Sequence, residues 1–337
     1  MRTDVLVIGG GPAGLAAAIA ARSKGFDVTV IDAAHPPIDK ACGEGVLPGG
    51  VKALHRLGVR FSSGDAFPLR GIRFLDGGAA VEASFPFGCG LALRRTRLHQ
   101  ILASRASELG VRLLWDTNVT DVPRLPACRW MVGADGQNSR VRRAAGLDAA
   151  SRESWRFGFR RHYRVSPWTD FVEVHWGLRG QIYVTPVGRD EIGIALLSRD
   201  SHVRLDSALS EFPELQRRLQ GAGASSAERG AVSVSRRLRR VFHGHTVLIG
   251  DASGSVDAII GEGLSLSFHQ AVALSEALSS GDLASYQAEH SRLARRPALV
   301  AGLLLSLDRC PWLRRSVLRL LALEPAVFAK LLRAPIQ

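Results

Sequence analysis

The chain opens on four apolar residues, Val5-Leu6-Val7-Ile8, with no polar alternation, the pattern of a strand buried on both faces. Gly9, Gly11 and Gly14 follow, and then the alanine-rich residues 15–21, which form helix readily. A second apolar run, Val28 to Ile31, ends at Asp32, 18 residues past Gly14. Strand, glycine turn, helix and a strand ending in an acid make a βαβ unit with dinucleotide-binding spacing. Gly9 allows the sharp turn. Gly11, with Pro12 and Ala13 beside it, lets backbone approach a pyrophosphate, and Gly14 lets helix and strand pack closely. The helix N-terminus offers N–H groups and partial positive charge to phosphates, and Asp32 stands where a ribose hydroxyl pair is received. The unit leaves NAD and FAD both open.

Past Asp32 the pattern changes. Residues 33–50 are turn-rich and contain Lys40-Ala41-Cys42-Gly43-Glu44-Gly45. A short helix follows, with Val51, Leu54 and Leu57 on one face. Alternation on both sides of Gly77-Gly78 predicts a hairpin belonging to a second sheet. Leu98, Ile101, Leu102 and Leu109 mark another helix, and residues 111–114 and Val119 read as strands returning to the first sheet. Residues 130–133 then lead through Ala134-Asp135-Gly136 into a basic helix. From 155 to 197 alternation dominates, predicting strands at 155–165, 171–176, 181–185 and 191–197 in an antiparallel layer. A helix over about 205–219 and a linker at 221–225 follow. Residues 247–251 read as a buried strand ending in Asp251, and residues 264–278 as a long helix. The last third reads as helical, broken at Pro297, Pro311 and Pro325.

Charge adds little to that picture. The 44 Lys and Arg outweigh 31 Asp and Glu, with arginine clusters at 94–95, 160–161, 236–240 and 314–315. No nucleic-acid module accompanies them. An arginine-rich solvated surface is the favoured reading, ahead of attraction to anionic cofactors, acidic substrates or a membrane. The four cysteines have no CxxC spacing, and His243 and His245 lack a third partner, so no metal site is expected. Scattered cysteines, and a glycine motif starting at residue 9 with no secretory signal ahead of it, point to a cytoplasmic setting. The longest apolar run, 298–305, is interrupted by Gly302 and too short to span a bilayer. Residues 312–333 set Trp312, Leu313, Val317, Leu320, Leu321, Phe328 and Leu331 against Arg314, Arg315, Arg319 and Lys330. Such a segment could lie on a membrane or cap a pocket for a greasy substrate, but packing on the nucleotide domain is favoured.

Three separated motifs, Gly9 to Gly14, Gly133-Ala134-Asp135-Gly136 and Gly250-Asp251-Ala252, occur in order. Together they resemble the FAD-dependent superfamily of the geranylgeranyl reductases and the single-component aromatic hydroxylases (group A flavin monooxygenases), over nearly the whole chain to about residue 290. The resemblance selects FAD. It implies that Asp251 binds a ribityl hydroxyl, that Gly261-Glu262-Gly263 brings backbone N–H groups to the flavin pyrimidine edge, and that Arg95 lies against the phosphate and ribityl chain. Asp135 is associated with the cofactor cleft, or caps a helix. Gly250 to Gly263 is closer to the reductase pattern, GDAAG followed by a GEG turn, than to the hydroxylase one. The segment around Cys42 is similar to that branch's cysteine-glycine segment beside the flavin ring. Residues 181–186, followed by Gly193, echo its Y-x-W-x-F-P…G substrate motif without the tryptophan and phenylalanine. The halogenase W-x-W-x-I-P is absent. Asp32 stands where glutamate is commoner, and the connection 121–129 is shorter than in relatives.

The reading is an α/β protein: a Rossmann-like FAD-binding domain of discontinuous segments (1–66, 91–154 and 230–290), an inserted antiparallel β-sheet substrate domain (67–90 and 155–229), and a helical C-terminal segment (291–337). The expected activity is FAD-dependent, geranylgeranyl-reductase-like reduction of an alkene in a hydrophobic small molecule. NAD(P)H or another donor is the expected transient reductant. An NAD(P)H-dependent flavin monooxygenase is the alternative, and a non-catalytic flavin-binding protein the third reading. Cys42 is the candidate proton donor or lining of the flavin face, balanced against a small loop residue. Glu44 is a candidate acid/base partner, though a loop carboxylate bonded to backbone is favoured. Tyr183 and Trp176 are candidate walls of the substrate pocket.

Overall fold

The computed structural model describes residues 3–122, 125, 127–148, 150–324 and 327–328. The opening unit is β1 (Val5–Ile8), α1 (Pro12–Ser23) and β2 (Val28–Ile31), with every strand residue buried. β3 (Gly45–Val46) and α2 (Pro48–Arg56) follow, then β4 (Phe67–Leu69), the hairpin β5 (Gly71–Asp76) and β6 (Ala79–Ser84), and β7 (Gly90–Ala92). The chain returns through α3 (Arg95–Glu108), β8 (Arg112–Leu114), β9 (Trp130–Gly133) and α4 (Arg140–Ala144). β10 (Ala150–Arg164), β11 (Phe171–Trp176), β12 (Gln181–Pro186) and β13 (Glu191–Ser198) run in succession. Short helices α5 (Leu205–Leu209) and α6 (Pro213–Leu219) precede β14 (Arg229–Leu238), β15 (Phe242–His243), β16 (Thr246–Leu248) and β17 (Gly254–Ser255). Three helices end the described chain: α7 (Gly263–Ser280), α8 (Leu283–Arg309) and α9 (Pro311–Leu323).

The strands form two main sheets. One has the order β15-β16-β9-β1-β2-β8 and is parallel except at β15. Its central strands β1, β2 and β9 are largely apolar and buried, as a helix-covered parallel sheet requires; α1 and α7 pack on each other over this core. The other has the order β17-β14-β10-β13-β12-β11-β5-β6, with only β11 and β5 parallel. The hairpin at Gly77-Gly78 joins it through β5. A small sheet, β3-β7-β4, lies at the connections between the two. The C-terminal ends of β1 and β9 lead into the glycine turns, so the parallel sheet delivers both turns to one edge, where ligands bind in open α/β sheets.

Several elements differ from the sequence reading. The helix expected over 205–219 is two helices, because Pro213 lacks an N–H and its ring opposes helix in the preceding residues. Pro297 does not break α8; it sits buried inside that helix, which is held by packing on α7 and on the turn at Ala258–Ile260. Val119 is not in a strand: its carbonyl accepts a hydrogen bond from Arg140 Nη1 at 2.8 Å. β14 was not expected, although Val232 and Val234 alternate with Ser233 and Ser235 within it. The strand read as ending in Asp251 stops at Leu248, and Asp251 lies in a 3₁₀ turn, Gly250–Ser253. The C-terminal segment does not pack on the nucleotide sheet as favoured: α9 packs on β6, where Leu318 and Phe328 meet Val81 and Ala83. Pro325, Lys330 and Leu331, and the rest of 291–337 beyond Phe328, lie outside the described residues, as do parts of the connection 121–129.

Candidate functional site

The glycine turn is shaped by what a side chain would strike. A Cβ on Gly14 would meet the Gly9 carbonyl oxygen at 1.8 Å, and one on Gly9 would meet the Ala134 carbonyl oxygen at 2.4 Å. A Cβ on Gly11 would meet nothing within 4 Å, because Gly11 faces open space in the cavity that Pro12 and Ala13 also line. Helix α1 follows Gly11 as N-cap, with no side-chain cap and no acid in its first turn, so its free N–H groups and positive end are available to an anion. Asp32 closes the turn from the next strand: its carboxylate accepts the Gly10 N–H at 2.6 Å and the Ala34 N–H at 2.7 Å. His99, fully buried, bonds through Nε2 to the Gly10 carbonyl at 3.0 Å, and burial lowers its pKa.

Arg95 begins α3 beside this turn. Its side chain lines the cavity, and its Nε is buried with no hydrogen-bond partner. A buried guanidinium nitrogen without an acceptor is costly, and an anionic group at that place would satisfy it. The uncapped helix end, the open face of Gly11 and this orphaned donor together fit the pyrophosphate of FAD.

Asp135, in the middle motif, lines the same cavity, but its carboxylate is spent on the start of α4. It accepts from Ser139 Oγ at 2.5 Å, the Arg140 N–H at 2.6 Å and the Val141 N–H at 3.2 Å.

The Cys42 loop crosses in front of the cleft. Lys40 Nζ reaches Asp251 at 3.2 Å, tying this loop to the Gly250–Ser253 turn. Cys42 lines the cavity, and its sulfur accepts the Glu44 N–H at 3.3 Å. Glu44 has a left-handed φ of 60° and is buried. One carboxylate oxygen accepts the Arg95 N–H at 2.8 Å, and the other bonds to His162 Nε2 at 2.6 Å. Arg160 Nη1 donates to His162 Nδ1 at 3.1 Å, so Nε2 carries the proton shared with Glu44. Arg160 also holds Asp39 at the start of the loop. Glu44 is therefore a loop carboxylate bonded to backbone, as favoured, and also the centre of a buried charged network.

Asp251 and the Gly261-Glu262-Gly263 turn lie on the same wall. α7 starts at Gly263 without a side-chain cap and with no acid in its first turn. Glu262 has its carboxyl pushed up to about 7 by burial, against an opposing pull from Arg296. Behind Asp251, Ser253 Oγ donates to the Gly250 carbonyl and meets His290 Nε2 at 2.9 Å, and burial holds His290 down to about 4.

Gly11, Asp32, Cys42, Glu44, Arg95, Asp135, Arg160, Asp251 and Glu262 all line one cavity of about 2150 Å³, several times a typical single-ligand pocket. Away from the glycine turns its walls are apolar: Ile72, Phe74, Val174 and Trp176 from the antiparallel sheet, and Leu304, Leu307 and Val317 from α8 and α9. Trp176 is buried against Phe74, with the Arg314 guanidinium 4.9 Å from its ring centre. Tyr183 donates to the Ile259 carbonyl at 2.9 Å, and burial pushes its hydroxyl pKa well up. The cavity thus has a polar end suited to a dinucleotide and an apolar end suited to a hydrocarbon.

Sequence reasoning missed Asp39, Arg160 and His162, and the buried cluster in which Arg156 meets Asp257 at 3.2 Å and Asp308 at 3.3 Å. Period-2 alternation places Arg156, Arg160 and His162 on one face of β10, a signal hidden by reading their positions as apolar strand or surface charge. Among the described residues no group of three or more His, Cys, Asp and Glu is arranged to hold a metal ion.

The FAD binding domain family matches residues 2–204. A menaquinone reductase of Mycolicibacterium smegmatis is 31% identical, covering 91% of this chain and 86% of its own. A digeranylgeranylglycerophospholipid reductase of Methanothermobacter thermautotrophicus is 27% identical over 87% of this chain and 82% of its own. The solved structure of a geranylgeranyl bacteriochlorophyll reductase-like protein of Thermoplasma acidophilum superposes with a TM-score of 0.78 at 20% identity, covering 95% of this chain and 90% of that one.

Proposed function

The chain belongs to the FAD-binding domain family of oxidoreductases, and on that footing we propose that it reduces a carbon–carbon double bond in a long hydrophobic molecule of prenyl type. The observation that carries this reading is the single cavity that runs from an anion-binding glycine turn into an apolar chamber. The names of the relatives, reductases of menaquinone and of digeranylgeranylglycerophospholipid, favour the same substrate class.

FAD, when bound, supplies the hydride. Gly11, the first turn of α1 and Arg95 hold its phosphates, Asp32 the ribose, Asp251 the ribityl chain, and the Gly261–Gly263 turn the pyrimidine edge. Asp135 shapes the cleft by fixing α4. The uncapped N–H groups at the start of α7 would favour negative charge at the edge of a flavin bound there. An alkene that takes a hydride also needs a proton, and Cys42, facing the cavity, is placed to hold it at Sγ. Glu44 is a positioning residue: both of its oxygens are engaged, and it fixes the loop that presents Cys42. Trp176 and Tyr183 orient the substrate and exclude water. NAD(P)H is the transient reductant, the chain works in a reducing cytoplasmic setting, and the domain divisions follow those read from the sequence, except that β14 and β17 go with the antiparallel sheet to which they are paired.

The test is anaerobic. FAD-loaded protein is reduced, then mixed without oxygen with a long-chain polyprenyl lipid that carries no quinone ring, in detergent micelles, so that a double bond is the acceptor being tested. Return of oxidised-flavin absorbance at a rate set by substrate concentration supports the reading. Reoxidation only after oxygen is admitted would favour the monooxygenase, and retained FAD with no response to either would favour a binding protein.

A further inference from the structure

Seven of the twelve exposed large apolar side chains among the described residues fall between 299 and 327. Residues 297–307 of α8 contain no charge. Leu299 and Leu303 stand four apart on that helix, 69% and 53% exposed. On α9 the inward face is fixed: Arg314 and Leu318 are buried, and Arg314 Nε donates to Asp76 at 2.7 Å. The opposite face presents Trp312, Leu320 and Leu323, each more than 60% exposed. Large exposed apolar patches with a polar rim mark interaction sites.

The rim is basic. Residues 291–324 hold seven arginines and two carboxylates. Asp308 is engaged by Arg156 and Arg199. Exposed Arg295, Arg309 and Arg319 have no ion-pair partner among the described residues. Apolar residues flanked by unpaired arginine match the interface of an anionic bilayer, in which the apolar face enters the acyl boundary and the cations meet the headgroups. No described helix is long and apolar enough to cross a membrane, so the contact is with the surface. Val300 and Leu303 both face solvent and line the cavity, so the patch is continuous with the apolar chamber.

We infer that the exposed face of α8 and α9 seats on an anionic lipid surface, and that the chamber opens toward the lipid there. The use of that docking, delivery of a lipid-borne substrate, rests on the function proposed above; the docking itself does not.

Full-length, FAD-loaded protein is floated with vesicles of equimolar phosphatidylglycerol and phosphatidylcholine, and with vesicles of phosphatidylcholine alone. Most of the protein floats with the anionic vesicles, and raising salt from about 0.1 M to about 0.5 M releases much of it. The combined Leu299→Ser, Trp312→Ser and Leu320→Ser variant, which changes no cavity-lining residue, loses binding by about tenfold or more and keeps its FAD. Leu178→Ser, 90% exposed on the turn between β11 and β12, floats like the parent. Arg295→Gln with Arg309→Gln and Arg319→Gln loses the salt-sensitive part. Absence of flotation by the parent protein, or equal flotation by the triple-serine variant, overturns the inference. So does a vesicle-independent dimer that the serines dissociate, since a second copy would then cover the face. A protein that fails to float but is reoxidised by the micellar quinone-free polyprenyl lipid refutes the docking alone; one that floats but is not reoxidised refutes the proposed reduction alone.

Discussion

His162 Nε2 lies 2.6 Å from Glu44 Oε2, with both side chains buried, and this contact joins the antiparallel sheet to the loop that carries Cys42. Removing one member of a buried charged network leaves its partners uncompensated, at a cost of about 3–5 kcal/mol. Glu44→Ala leaves the Arg95 N–H, His162 and Arg160 facing one another and is expected to lose stability on that scale, read as a lower urea midpoint. Glu44→Gln retains an acceptor for the Arg95 N–H and is expected to lose less. Equal midpoints for Glu44→Ala and the parent would show that the contact is not formed in solution.

The glycine turn predicts two different failures. Gly14→Ala puts a methyl group 1.8 Å from the Gly9 oxygen, so the βαβ unit must shift and folded yield falls. Gly11→Val adds its side chain to open cavity space, so the protein folds with a normal melting temperature but loses flavin. The ratio of flavin to protein absorbance after gel filtration, alongside the melting temperature, separates the two.

Arg95→Ala removes a guanidinium that has no acceptor at Nε within the protein. The FAD-free protein is therefore expected to lose little stability from the missing charge. FAD affinity is expected to fall by about 1.5–3 kcal/mol, the scale of a charge-assisted hydrogen bond. Flavin fluorescence titration measures it, and unchanged affinity would remove Arg95 from the phosphate site.

The βαβ unit was legible because each of its requirements is local: an apolar strand, glycines at fixed spacing, alanine-rich helix and Asp32 all lie in one short stretch. The hairpin at Gly77-Gly78 and strands β11 to β13 were legible from period-2 alternation. The Glu44, His162 and Arg160 network was not, because Glu44 is more than a hundred residues from the other two and meets them only once β10 passes the loop. Pro297 misled because a proline's local cost can be offset by tertiary packing that the sequence does not display. The amphipathic C-terminus was visible, but its inward face was fixed by Arg314 meeting Asp76, a long-range ion pair. The helical pattern alone leaves open which sheet it covers.

Two groups around the cleft give opposite pH dependences in FAD-free protein. His290 is held down to about 4 from 6.5. The unfolded chain therefore takes up its proton first, and stability falls as pH drops through that window. Glu262 is pushed up to about 7 from 4.5. The folded chain keeps its proton longer, so the stability from this group is full below about 4.5 and lost as pH rises to about 7. His290→Gln is expected to flatten the acid arm of a melting-temperature profile, and Glu262→Gln the opposing slope. Parallel profiles for parent and variants would contradict both assignments.

The central claim, that FAD and an apolar chamber share one cavity in order to reduce a double bond, is tested most directly by the mass of the product. FAD-loaded protein, an electron donor and a polyprenyl substrate are incubated with and without oxygen, and the product is weighed by mass spectrometry. A gain of two hydrogens per turnover, formed without oxygen, is the expected result. A product formed only with oxygen and heavier by one oxygen atom would contradict it and make the protein a hydroxylase.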